Sequence, residues 1–163
     1  MAVAIWQFRI ELIPQGWLEA GGDIRTLVTD EGFAAAAAWA GYRDAQLEEA
    51  FGALLPPAKS WSAELQVWGA QEAHCIRLRR RHGAILAVEV CLDLRDLQIG
   101  LFRAIVDLAC ARNLALLACE TKRPIERSAE QLLRHAAASS AAHFVIDPHS
   151  FLSELDTVND RTV

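Results

Sequence analysis

Lysine is almost missing from this sequence of 163 residues: Lys59 and Lys122 are the only two, and arginine carries the rest of the positive charge. The net charge of -5 disfavours a grip on a phosphate polymer over a broad surface. Long apolar runs are missing too; none approaches the roughly 20 residues that cross a bilayer as a helix. The opening, MAVAIWQFRIELIP, lacks a basic leader and meets Arg9 and Glu11 early, so it reads as a first strand and not as a signal peptide. No Walker loop, dinucleotide fingerprint or nucleophile elbow occurs, and Gly21 and Gly22 follow no strand–helix arrangement that would cradle a phosphate. The four cysteines, Cys75, Cys91, Cys110 and Cys119, never stand in CxxC spacing and sit inside apolar segments. That usage fits reduced thiols in a cytoplasmic protein, with no zinc site. No internal repeat or linker is visible.

What is present suits a packed domain. Hydrophobic residues make up 53% of the chain, with five tryptophans and six phenylalanines as large core pieces, which excludes disorder as a description of the whole. The length fits one domain over 1–156, with a polar tail at 157–163 expected to fray. Trp6, Phe8, Ile10 and Leu12 alternate with Gln7, Arg9 and Glu11, the period of a strand with one wet face. From Trp17 to Tyr42 the pattern is weak, and reads as a short alanine-rich helix or an irregular excursion. Asp44 then caps a helix whose Leu47, Ala50, Phe51 and Leu54 share a face, ended by Pro56 and Pro57. WSAELQVWG supplies a strand with Trp61, Ala63, Leu65 and Val67 on one side. After a hairpin, Asp93 or Asp96 caps a helix to about Arg112 that buries Leu97, Leu101, Ala104, Ile105 and Leu108. LALLACE reads as an interior strand, Pro124 as the opening of a helix through Leu132, Leu133 and Ala136, and HFVID as a last strand. Asp147 and Pro148 start a terminal helix. The economical fold class is α+β: a mixed, mainly antiparallel sheet with helices packed against it.

The stretch HCIRLRRRHGAILAVEVCLDL places Arg77, Arg79, Arg80 and Arg81 around a turn. With Arg81, His82 and Gly83 as a three-residue loop, Leu78 faces Leu86, Ile76 faces Val88 and His74 faces Val90 on the buried side. Arg77 and Arg79 then point outward, with Glu89 diagonal to Arg77. On this register Leu86→Ala costs about 2–5 kcal/mol if the site is fully buried. Nucleic-acid sites recruit several basic elements and exposed aromatic rings, whereas His82 is the only ring beside this cluster. A solvated hairpin, or a protein partner whose carboxylates arginine can grip in bidentate fashion, suits the pattern better.

Catalytic chemistry is thin. His74 and Cys75, adjacent in a strand, point to opposite faces and make no pair. Cys91 becomes a nucleophile candidate only if the fold brings His74 or His143 to it, and the flanking Glu89 and Asp93 disfavour its thiolate. Glu89, Asp93 and Asp96 make a carboxylate-rich strand end that helix capping explains. His143, Asp147 and His149 are close in sequence but lack further ligands for a metal. No catalytic residue, metal ligand or cofactor is assigned. The competing readings are a small cysteine- or carboxylate-dependent enzyme working near Cys91 or Glu89, and a nucleic-acid binder using the basic hairpin.

VWG at 67–69, CLDLRD at 91–96 and SSAAHFVIDPHSFLSEL at 139–155 stand within this order of elements. Together they resemble small cytoplasmic bacterial immunity proteins encoded beside secreted or contact-delivered toxins. The resemblance implies a non-catalytic protein that binds and neutralises a cognate toxin domain, with no cofactor; the lack of a long apolar run speaks against a membrane partner. Trp and Arg are frequent interface anchors, which makes Arg77, Arg79, Arg80, Arg81, Trp17 and Trp39 the candidate protein-binding residues. Self-association stays open.

Overall fold

The alternation of residues 6–12 produces β1, Gln7–Pro14, in the computed structural model, which describes residues 3–159. The excursion expected after it is built of short pieces: α1 (Gln15–Glu19), a 3-10 turn (Ile24–Leu27), a ribbon of β2 (Val28–Thr29) and β3 (Gly32–Phe33), and α2 (Ala36–Trp39). Next come α3 (Leu47–Leu54), β4 (Pro57–Ala58), β5 (Leu65–Gly69), β6 (Cys75–Arg81) and β7 (Ala84–Asp93). The chain continues through α4 (Ile99–Ala111), β8 (Leu114–Ala118), β9 (Arg123–Ile125), α5 (Ala129–Ala137), α6 (Ser140–Ile146) and α7 (Pro148–Asn159). Seven strands form one sheet in the order β4-β5-β6-β7-β1-β8-β9, and every ladder is antiparallel. The α+β class with a mainly antiparallel sheet and packed helices is therefore what the chain adopts. Among the described residues no helix is long and apolar enough to cross a membrane.

Residues paired across a ladder share a face. One face joins Trp68, Ile76, Val90 and Ile10 in a row, with Leu78 and Val88 in the next, all buried. There α4 inserts Phe102, Ile105 and Ala109, and α3 sets Phe51 edge-on to Trp68 at 5.2 Å between ring centroids. The other face carries the odd-numbered residues of β1, of β6 and of β7 from Ala87 onward. The sequence pattern makes it wet, but β1 lies inside the sheet, and Gln7 and Glu11 are buried. The segment 15–42 folds back over part of this face, with Phe33 and Ala36 above Glu11 and Ala87.

Several local expectations are corrected. HFVID up to Ile146 is helical within α6, where the Ser139 Oγ caps the helix by accepting from the Ala142 N–H at 3.2 Å. Pro124 does not open a helix; it sits in the edge strand β9, where a missing N–H is tolerated, and Ser128 caps α5 instead. Trp61 is exposed and lies outside β5, in which Leu65 and Trp68 are buried and Val67 is half-buried. Leu97 is exposed, since α4 begins only at Ile99 without a side-chain cap. Asp147 does cap the terminal helix, accepting from the Ser150 N–H at 3.0 Å. The expected tail at 157–163 falls, from residue 160, outside the described residues.

The hairpin register differs from the expected one by two residues. His82 (φ 50) and Gly83 (φ 79) form a two-residue turn, a left-handed pair for which glycine at the second position is well suited. A bulge between Arg79 and Arg80 skips Leu86, so Leu78 pairs with Val88, and Ile85 rather than Leu86 packs against the core. Arg77 therefore lies directly opposite Glu89 and is buried, not exposed.

Candidate functional site

A row of residues crosses the second face of the sheet: Val67, Arg77, Glu89, Glu11 and Leu117, each the ladder partner of the next. Two carboxylates thus sit side by side on neighbouring strands, an arrangement that is unfavourable when both are charged. The structure relieves it in two ways. Glu89 is clamped by guanidiniums, with Arg9 Nη2 at 2.7 Å from Oε2 and Arg77 Nη1 at 3.0 Å from Oε1. Glu11 is 3% exposed, and burial, then the charge of Glu89, push its carboxyl well above the ordinary carboxylate range against the pull of its hydrogen bond from the Val88 N–H. That N–H reaches Glu11 Oε1 at 3.1 Å where the β1–β7 ladder has ended, so a side chain replaces a strand carbonyl.

Above this pair is a hollow of about 370 Å³, lined by Arg9, Glu11, Arg79 and Glu89 from the sheet and by Glu31 and Phe33 from the ribbon side. Arg9 Nη2 also donates to the Glu31 carbonyl at 3.0 Å, tying the ribbon to the floor. Exposed Arg79 stands at the rim, where its charge acts on Glu11. Cys119 completes a group with Glu11 and Glu89 whose ligand atoms lie within 4.8 Å of one another. As a cation site this donor set is poor. Glu89 already serves two arginines, Glu11 favours its neutral form, and burial followed by the charges of Glu89 and Glu11 pushes the Cys119 thiol to about 12.

A pH test follows from Glu11. Because its folded-state pKa is raised, its contribution to stability is full below the ordinary carboxylate range and is lost as pH rises toward the folded value. Glu11→Gln keeps an acceptor for Val88 and carries no charge. The variant is expected to match the parent at low pH and to gain on it by up to about 1.4 kcal/mol per pH unit above that range. Urea titrations of both proteins from pH 4 to 8 measure the difference, and parallel curves would refute the buried neutral carboxyl.

The other sequence candidates separate. His74 Nε2 donates to the Asp96 carbonyl at 2.8 Å while Nδ1 accepts from the Asp93 N–H at 3.1 Å, so it pins the end of β7 and is not the base for Cys91. Cys91 Sγ instead meets Glu89 Oε1 at 3.4 Å. Asp93 is bound by Arg95, which also lies 3.9 Å from the centroid of the Trp6 ring. His143 stacks edge-on against Phe151 and sits near Glu154, away from any metal set with Asp147 or His149 among the described residues.

Most of the arginine cluster is spent inside the chain. Arg77 binds Glu89, Arg80 binds Glu48 at 2.6 Å and Arg81 binds Glu64 at 3.2 Å. Trp39 is buried in the core and Trp17 is packed partly against it, which leaves Trp39 no surface to offer a partner. Sequence reasoning missed Glu11 and Arg9, whose only signal was two opposite charges on the polar side of a strand that proved central. Comparison of the chain with known protein families, curated proteins and solved structures returns no match, and the functional reading rests on the site itself.

Proposed function

We propose that the chain works through the hollow over Glu11 and Glu89 as a small carboxylate-dependent acid–base site for a small-molecule substrate. One observation carries this reading: two adjacent carboxyl groups in unlike environments, Glu11 buried and favouring its proton, Glu89 fixed by Arg9 and Arg77. Environments that push paired carboxyl groups apart create a proton carrier beside a fixed anion. In this assignment Glu11 delivers its proton to the substrate oxygen and, as the carboxylate it then becomes, takes up the carbon-bound proton, Glu89 orients the site, and Arg79 at the rim takes an anionic group of the substrate. The test is proton exchange at carbon: a pool of 2-oxo and 2-hydroxy acids is incubated with the protein in heavy water and read by NMR. Deuterium incorporation that falls about 100-fold or more in Glu11→Gln supports the assignment. Incorporation unchanged in that variant, or no compound exchanging at all, counts against it.

A second reading, a non-catalytic immunity protein that binds a cognate toxin domain, is favoured by one surface feature. Trp61 is 74% exposed on the loop before β5, and tryptophan is a frequent hot-spot residue. Stable co-purification with the product of a neighbouring gene, weakened roughly 30-fold by Trp61→Ala, supports it; no complex with any neighbouring product removes it. Arg79→Glu together with Arg81→Glu reports whether the hairpin takes part.

A further inference from the structure

We propose that Cys75 and Cys91 are a reversible dithiol–disulfide pair built into the β6–β7 hairpin. The two residues are direct ladder partners, and both side chains lie on the face that carries Glu89. Residues opposite one another in an antiparallel ladder have Cα atoms about 4.5–5.5 Å apart, within the roughly 4.4–6.8 Å that a disulfide bridges. Both cysteines are buried and free. Their pairing in the ladder places them within that range without a change of register.

The surroundings give the two sulfurs unequal roles. The hydrogen bond from Cys91, with help from the Arg77 guanidinium, holds the Cys75 thiol below the ordinary thiol range despite burial. That same hydrogen bond, then burial and the charge of Glu89, push Cys91 well up. Arg77 is itself 4% exposed, and its Nη2 is buried with no hydrogen-bond partner among the described residues. A thiolate at Cys75 places a negative charge beside that guanidinium. Cys75 is thus the attacking sulfur and Cys91 the resolving one. A cavity of about 150 Å³ bordered by Val67, Gly69 and Arg77 lies beside this spot, Gly69 being the β5 partner of Cys75. It has room for an oxidant as small as hydrogen peroxide.

With peroxide the step balances. The Cys75 thiolate attacks one peroxide oxygen, an S–O bond forms, the O–O bond breaks, and the leaving hydroxide takes a proton to become water. Cys91 sulfur then attacks Cys75 sulfur, the S–S bond forms and the S–O bond breaks. The Cys91 proton leaves by way of Glu89, whose Oε1 is 3.4 Å from Sγ, and converts the second hydroxide to water. Two thiols lose two electrons in total, and one peroxide becomes two waters.

The experiment uses the full chain with Cys110→Ser, which removes the exposed thiol. After hydrogen peroxide, non-reducing peptide mapping is expected to show a Cys75–Cys91 linked pair that dithiothreitol reverses. It should form roughly tenfold or more faster than Cys119 is modified. Cys91→Ser is expected to leave a sulfenic acid at Cys75 that dimedone traps, while Cys75→Ser leaves Cys91 unmodified. The linkage assay needs no variant at either cysteine, so a poorly folding variant does not decide the result. A link to Cys119, over-oxidised thiols without the Cys75–Cys91 peptide, or unreacted thiols at doses that oxidise Cys110 in the parent would each overturn the proposal.

Discussion

Glu89→Ala is expected to cost about 3–5 kcal/mol of folding free energy, as the loss of one partner of a buried charge pair does. Arg77 has a side chain 5% exposed and its only ion pair among the described residues is with Glu89. Arg9, with a side chain 26% exposed, loses its partner at 2.7 Å in the same step. Removing the carboxylate strands one guanidinium in the sheet and weakens the hold on another, and burial disfavours a charge on Glu11 that could replace it. Glu89→Gln keeps an acceptor of the same shape and is expected to lose less, since a neutral acceptor still satisfies part of the donor set. Urea denaturation at pH 7 of both variants measures the difference. A Glu89→Ala loss under about 1 kcal/mol would mean the arginines find water, as surface pairs do, and would remove the basis for a fixed anion in the hollow.

The second large effect separates two leucines. Leu78→Ala is expected to cost about 2–5 kcal/mol, the range for truncating a fully buried leucine; Leu78 is 0% exposed opposite Val88. Leu86→Ala is expected to cost about 1 kcal/mol or less, because a half-buried side chain removes little area from water. The contrast is a direct test of the bulge. In the simple three-residue loop register the two leucines face each other and lose comparable amounts. In the bulged register the core contact passes from Leu86 to Ile85. Equal losses in thermal and urea unfolding would return Leu86 to the core and discard the observed register.

The site was only partly legible. Glu89 stood out as a carboxylate near Cys91 and as a cross-strand partner for Arg77, yet it was placed diagonally. Glu11 and Arg9 belonged to an alternation that reads as the wet face of a strand, not as a site. A period of two tells which residues share a face but not whether that face is covered. Coverage of the polar face comes from residues 15–42, whose sequence carries no strong periodicity and whose pieces are short. Local pattern also failed where a cap outweighed strand preference, as at Ser139 before HFVID, and where an edge position accommodated a proline, as at Pro124.

By itself the sequence determined the class of fold, the apolar faces of β1, β6 and α4, the cap at Asp147, and a hairpin turning within residues 81–83. These follow from periodicity and turn chemistry, which act over a few residues. Tertiary structure alone decided that β1 is a central strand, that Arg77 is buried against Glu89, and that Cys75 meets Cys91. Each of these depends on pairing residues far apart in the chain. A single skipped residue in a ladder exchanges the two faces of everything beyond it. The bulge at Leu86 leaves no mark in the alternation strong enough to be read beforehand, so which charges are buried together was settled only when the strands paired.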